Sequence, residues 1–250
     1  MAIDAEATGD RAEKADTETT RPTYGRPRRG EGIKMMEAKE LIRRYSAGKR
    51  DFAGATLSGV DLQGANLQGA DLRGADLHEA NLSDANLSDA NLEGALLSAA
   101  VLSGATLFWA SLTKADLQGA DLRGAKLRGA DLSEAKLGRA DLREAWLSEV
   151  NLERVDLSGV VLSEATLLCV NLVRADLQGA DLRGARLHEA DLEGANLECA
   201  NLEWADLKGV NLHGAYLEWA NLSGAKVTEE QLAQAKSLKG ATMPDGTKHE

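Results

Sequence analysis

Ala65-Asn66-Leu67-Gln68-Gly69-Ala70-Asp71-Leu72-Arg73-Gly74 is one five-residue phrase written twice, and the phrase runs on in both directions. Leu fills every fifth position from Leu57 to Leu222, 34 times without a gap, and Phe52 and Val227 hold the same position at the two ends. Two residues before each Leu stands Ala or, less often, Val. The residue just before it is usually Asp or Asn. A period of five fits neither regular element. On an α-helix, leucines five apart would spiral around the axis, about 140° per step. On a flat strand they would alternate faces, because five is odd. A chain that turns a corner every five residues removes the conflict. Ala and Leu then both point inward on one short face, and the other three residues point out. Two positions after Leu, the residue is Gly at about half of the corners, as in Gly59, Gly64 and Gly69. A type II turn over Leu-x-Gly-Ala needs φ > 0 at its third residue, which Gly supplies at little cost. Where Glu, Asp, Arg or Trp replaces that Gly, a different turn type is expected.

The composition agrees with a core made of one repeated side chain. Hydrophobic residues are 43% of the 250, but aromatics are only 4%, too few for a conventional core of mixed large side chains. The phrase resembles the pentapeptide-repeat proteins, whose pattern is A-(D/N)-L-x-x. The resemblance covers 51–227. It implies an all-β fold, a right-handed quadrilateral β-helix with four five-residue faces per coil. Thirty-six units then give about nine coils, roughly 43 Å at about 4.8 Å per coil. The departures, at the position before Leu, are Leu96, Val101, Lys126, Lys136, Trp146, Val161, Arg186 and Tyr216. All lie on the surface, so the inward pair is intact.

The organisation has four parts. Residues 1–33, polar and charged with almost no large apolar side chain, read as a disordered tail. Residues 34–50 read as a capping helix, with Ala38, Leu41, Ile42 and Tyr45 at helical spacing and Gly48 as its stop. The repeat occupies 51–227. Residues 228–250 read as a second cap and a tail. Thr228 stands three residues before Gln231 in a capping box, Leu232, Ala233 and Leu238 supply an apolar side, and Pro244-Asp245-Gly246 is a turn before a frayed end.

The functional signals are few. Net charge is −11, and the repeat alone holds 27 acidic and 14 basic residues, which discourages direct binding of nucleic acid or anionic membranes. No apolar run is long enough to span a bilayer, and Met1–Asp16 lacks the apolar segment of a secretory signal, so a cytoplasmic location is expected. Cys169 and Cys199 have no C-x-x-C partner, and His78, His188 and His213 fall on three different faces modulo twenty, so neither a metal site nor a catalytic triad is expected. No cofactor is implied, and a non-enzymatic structural or interaction scaffold is the expectation.

Two groups of outward apolar residues are the candidates for contact with another protein. The first comprises Leu96, Val101, Phe108, Trp109, Trp146 and Leu168. Modulo twenty, Phe108, Trp109, Trp146, Leu168 and Cys169 share a face with Lys126 and Arg128. The second, Trp204, Tyr216 and Trp219, either packs under the C-terminal cap or forms a homodimer seam at that end. The resemblance offers an alternative function, an acidic DNA mimic that binds a type II topoisomerase (gyrase) and protects it from quinolones. Asp121-Leu122-Arg123, Asp141-Leu142-Arg143 and Asp181-Leu182-Arg183 dilute that acidity. Relatives of the mimic class also carry more Phe at the central position and loops that interrupt the coils, and this chain has neither.

Overall fold

The computed structural model describes residues 36–250, so the expected tail at 1–33 and its Arg26, Arg28 and Arg29 lie outside the described residues. From Asp51 onward the chain makes single-residue parallel bridges to the residue twenty positions on, such as Asn66↔Asn86 and Asn86↔Thr106. The bridging residue is always the one before Leu. Four such ladders run the length of the repeat, starting at Asp51, Thr56, Asp61 and Asn66. The β-structure is therefore made of isolated bridges rather than extended strands, because the chain leaves each face after one paired residue.

The backbone accounting explains the phrase. In Asn86-Leu87-Ser88-Asp89-Ala90, Leu87 N–H donates to Thr106 C=O at 2.7 Å and Asp89 N–H to Phe108 C=O at 2.8 Å in the next coil. Asn86 N–H reaches back to Ala65 C=O at 2.9 Å, and Ala90 N–H closes the turn on Leu87 C=O at 3.1 Å. The fifth donor, Ser88 N–H, points outward and is taken by Asn86 Oδ1 at 3.0 Å. Every Asp and Asn before a repeat Leu makes this bond to the N–H two residues on. The Asp/Asn preference is thus an Asx turn repeated at each corner. Several Asn residues add a second bond to the Asx oxygen one coil below, as Asn81 Nδ2 to Asp61 Oδ1 at 2.9 Å and Asn196 Nδ2 to Asp176 Oδ1 at 3.0 Å.

One expectation is corrected at the corners. The turn type does not change where Gly is replaced. Glu79, Asp84, Trp109, Arg139 and Cys169 all hold φ between 52° and 60°, next to glycines such as Gly64 at 64°. The four-residue bond from Ala N–H to Leu C=O persists at the first four of these corners, for example Ala80 to Leu77 at 3.0 Å and Ala85 to Leu82 at 3.1 Å. A left-handed non-glycine residue costs roughly 1–2 kcal/mol, but a different turn would forfeit the bonds of both neighbouring coils, so the stack dictates the corner.

Repeat Leu side chains and the Ala or Val two residues before them form one continuous core, buried except at Ala55, Val60 and Ala65, which are half-buried at the N-terminal end. Among the described residues no polar side chain is buried. At 150, 155 and 160 the small position is Val, and the coil-to-coil bonds beside Val150 and Val155 weaken. Leu137 N–H to Asp156 C=O and Arg139 N–H to Ser158 C=O lengthen to 3.4 Å, against 2.7 Å for Leu142 N–H to Val161 C=O. Leu132 and Glu134 N–H, which the pattern would pair with residues 151 and 153, make no backbone bond among the described residues. Two extra methyl groups per position wedge the coils apart here.

Helix α1, Ala38–Ser46, buries Leu41 in the same core cluster as Phe52 and Leu57. Met36 N–H donates to Thr56 C=O at 2.9 Å and Tyr45 Oη to Gln68 C=O at 2.8 Å. At the other end Thr228 caps α2, Glu229–Leu232, in a full capping box with Gln231. The Gln231 amide also donates to Leu207 and Val210 C=O at 2.9 and 2.8 Å. After α2 the chain does not fray. It resumes the repeat one residue out of phase, with Ser237 bridging Tyr216 and Thr242 bridging Asn221. It then folds back so that Lys248 pairs antiparallel with Thr242, and Gly240 N–H donates to His249 C=O at 2.9 Å. The last edge of that ladder is thereby covered.

Candidate protein-contact face

Each face consists of a bridging residue and the two turn residues after Leu. The candidate residues separate onto three ladders. Leu96 bridges Asp76 and Asp116, and Val101 bridges Asn81 and Asp121. Phe108, Trp109, Trp146 and Leu168 belong to the ladder that runs Asn66, Asn86, Thr106, Lys126, Trp146, Thr166, Arg186, Asp206 and Lys226. Leu96 and Val101 are thus on other faces and cannot join one contact with the rest.

The four faces differ in charge. The face with Trp146 carries five basic residues (Lys126, Arg128, Arg186, Lys208, Lys226) and four acidic ones (Asp89, Glu149, Glu189, Asp206). The other three each carry seven or eight acidic residues against two to four basic ones. Trp109 and Trp146 therefore stand on the near-neutral face, whereas Trp204 and Trp219 stand on two of the acidic ones. A count of charge modulo twenty finds this in the sequence, whereas the net charge of the whole repeat hides it.

The aromatics on this face are held in different ways. Trp109 is 61% exposed and sits at a left-handed corner with φ 58°. Its indole lies on the backbone of Gly129 in the next coil, so closely that a Cβ there would fall 2.2 Å from the ring. Trp146 is 57% exposed and occupies the place of an Asx residue, so Ser148 N–H has no protein acceptor among the described residues. Arg128 donates to Glu149 at 2.8 Å, and Lys126 makes no ion pair or ring contact among the described residues. Burial and the neighbouring Glu189 and Glu149 carboxylates push the exposed Cys169 thiol above its ordinary pKa.

The C-terminal aromatics are not beneath α2. Trp204 and Trp219 remain 68% and 58% exposed, and each indole lies on a glycine of the next coil, Gly224 and Gly240. Tyr216 accepts from Lys236 Nζ at 3.0 Å. Tyr216 and Trp219 line one wall of an open recess of about 580 Å³, with Arg174, Asp176, Glu198 and Lys239 on the other sides.

The acidic faces are partly self-neutralised. Arg73, Arg123, Arg143 and Arg183 each clamp the Asp two residues earlier through one guanidinium edge, for example Arg123 Nε and Nη2 to Asp121 at 2.8 and 2.7 Å. The guanidinium beside each one holds Asp71, Asp121, Asp141 and Asp181 below the usual carboxylate pKa. Among the described residues no group of three or more His, Cys, Asp or Glu could hold a metal ion. No helix among them is long and apolar enough to cross a membrane.

A family model described as pentapeptide repeats matches the chain over 51–89, 80–119, 107–144, 145–184 and 185–224. The chain belongs to the pentapeptide-repeat family. Among solved structures this pentapeptide-repeat protein is similar to HetL, a pentapeptide repeat protein involved in heterocyst differentiation regulation from the cyanobacterium Nostoc. The two are 39% identical over 86% of this chain and 100% of that one, with a TM-score of 0.49. It is also similar to a trypsin-treated form of QnrB1, described as a plasmid-mediated fluoroquinolone resistance protein, at 25% identity over 67% of this chain and 85% of that one, with a TM-score of 0.53. A search of curated proteins finds no match.

Proposed function

We propose that this pentapeptide-repeat protein is a non-enzymatic interaction scaffold that binds another protein through the face carrying Phe108, Trp109, Trp146 and Leu168. The carrying observation is that Trp109 and Trp146, with Phe108 and Leu168 beside them, stand on the one near-neutral face of an otherwise acidic stack. Apolar contact needs a surface that can be dehydrated cheaply, and the three acidic faces would resist that. The remaining geometry follows the family: a right-handed, four-sided β-helix of about nine coils between its two caps. Trp204, Tyr216 and Trp219 form a smaller exposed group near the C-terminal end. Affinity capture from native lysate, read by mass spectrometry, tests the reading. Phe108→Ser with Trp109→Ser should lose the specific partners while the fold is kept, and a double variant that retains every partner removes this face from the function.

A second reading, an acidic mimic that binds a type II topoisomerase, draws on the likeness to QnrB1 and on three adjacent acidic faces. The Arg clamps on Asp121, Asp141 and Asp181 and the uninterrupted run of bridges weigh against it. A DNA supercoiling assay that shows neither inhibition nor protection from quinolones at high protein concentration ends that reading.

A further inference from the structure

We propose that the occupant of the aromatic face is a second copy of this chain, packed antiparallel about a two-fold axis that passes midway between the Lys126 and Trp146 rungs. The proposal rests on that face being a contact surface, and it adds the identity of the partner. Charge comes first. Two copies that meet through any other face bring seven or eight carboxylates of each against the same number. Through this face they meet with five basic and four acidic residues each, so like-charge repulsion is absent in sum.

Register comes second. Because every ladder steps by twenty residues, the outward positions form straight columns with rungs about 4.8 Å apart. A two-fold axis perpendicular to the stack lays each column on its own reversed copy. With the axis midway between Lys126 and Trp146, Lys126 faces the partner's Trp146, Phe108 faces the partner's Leu168, and Trp109 faces the partner's Cys169. Thr106 meets the partner's Thr166. One rung further out, Asp89 faces the partner's Glu189, a like-charge contact at the rim, with the partner's Arg186 and the partner's His188 in the same coil. Apolar thus meets apolar, and the otherwise uncommitted Lys126 ammonium meets an exposed indole face.

Other arrangements fail on the same residues. A parallel pair, which reverses the columns left to right, sets Lys126 against the partner's Arg128. An antiparallel pair centred on the Lys126 rung stacks Lys126 on the partner's Lys126. One centred on the Trp146 rung buries Phe108 against the partner's His188 and Arg128 against the partner's Leu168. The end-on alternative is disfavoured by the closed C-terminal edge, where Lys248 already pairs with Thr242.

The test uses the full chain in analytical ultracentrifugation. A reversible dimer is expected, and Trp146→Lys, which opposes the partner's Lys126, should weaken it by at least about tenfold. Adding Lys126→Glu to Trp146→Lys should restore it. Independently, Trp109→Cys in a Cys199→Ser background should give a disulfide-linked dimer through the partner's Cys169 when copper-phenanthroline is the oxidant, and Cys199→Ser alone should not. Unchanged circular dichroism and melting temperature show that each variant is folded. A chain that is monomeric at every concentration, or a dimer indifferent to Trp146→Lys but lost with Trp219→Ser, overturns the proposal. If the chain is monomeric and Phe108→Ser with Trp109→Ser still abolishes partner capture, the homodimer falls while the contact-face reading stands.

Discussion

At Trp146 the chain gives up a hydrogen bond. Twenty residues on, Thr166 leaves the same gap, whereas Asn86 on this ladder closes it with Oδ1 on Ser88 N–H at 3.0 Å. A neutral hydrogen bond contributes about 0.5–1.5 kcal/mol net, so an Asx residue is the stabler choice before any repeat Leu. Trp146→Asn should therefore raise the urea midpoint by the equivalent of about 0.5–1 kcal/mol while it removes the largest exposed apolar side chain of its rung. A midpoint that is unchanged or lower would mean that water serves Ser148 N–H as well as the side chain does. The same reasoning reaches Leu96, Val101, Lys126 and Arg186, each of which forgoes the bond. The sequence shows which residues depart from Asp/Asn, but not what they lose, because the free turn N–H becomes visible only when all five donors of the phrase are assigned. The uniform corners were hidden for a similar reason. Local propensity argues for a new turn at Glu79 or Arg139, but the bonds to the adjacent coils outweigh it and hold both residues left-handed.

Among the elements, the coil around 131–140 is the soft one. The wedge of Val150 and Val155 leaves Leu132 and Glu134 N–H without backbone acceptors among the described residues. Solenoid stability is a sum of neighbour terms, so a weakened coil interface opens locally without unfolding the array. Hydrogen exchange should find the amides of Leu132 and Glu134 exchanging faster than those of Leu127 and Leu142, which are bonded at 2.8 and 2.7 Å. Val155→Ala should slow them, and equal protection at all four sites would contradict the wedge. The valines stand plainly in the sequence, yet their effect depends on the residue one coil away. The C-terminal coil was missed by a single residue. Ser237-Leu238-Lys239-Gly240-Ala241 repeats the phrase, but α2 inserts one extra residue, and a count in strict fives passes over it.

For the whole molecule, the four Asp–Arg clamps give the acid response its sign. Asp71, Asp121, Asp141 and Asp181 ionise below their unfolded value, about 3.9, because each faces a guanidinium. Their contribution is present above that value and is lost as pH falls through the folded pKa. The arginines are exposed to solvent, so each clamp is a modest, screened term. Chemical denaturation should show stability falling below about pH 4. A variant with Arg73, Arg123, Arg143 and Arg183 changed to Gln should start lower at neutral pH and fall less steeply, so the two curves converge in acid. Parallel curves would assign the acid response to other carboxylates. At this scale the fold was almost wholly legible, since 34 leucines in register leave one way to bury them. The contact face was legible only in part. Phe108, Trp109, Trp146 and Leu168 align modulo twenty, but Leu96 and Val101 share their apolar character and not their ladder.

Because every corner holds the same conformation whether it carries Gly, Glu, Trp or Cys, the exterior is decoupled from the interior. A side chain's height and side on the stack follow from its residue number alone, twenty to the next rung and five to the next side. The surface is in effect an addressable grid. New chemistry can be written on it one square at a time, at the cost of about one hydrogen bond per bridging residue, without disturbing a leucine beneath.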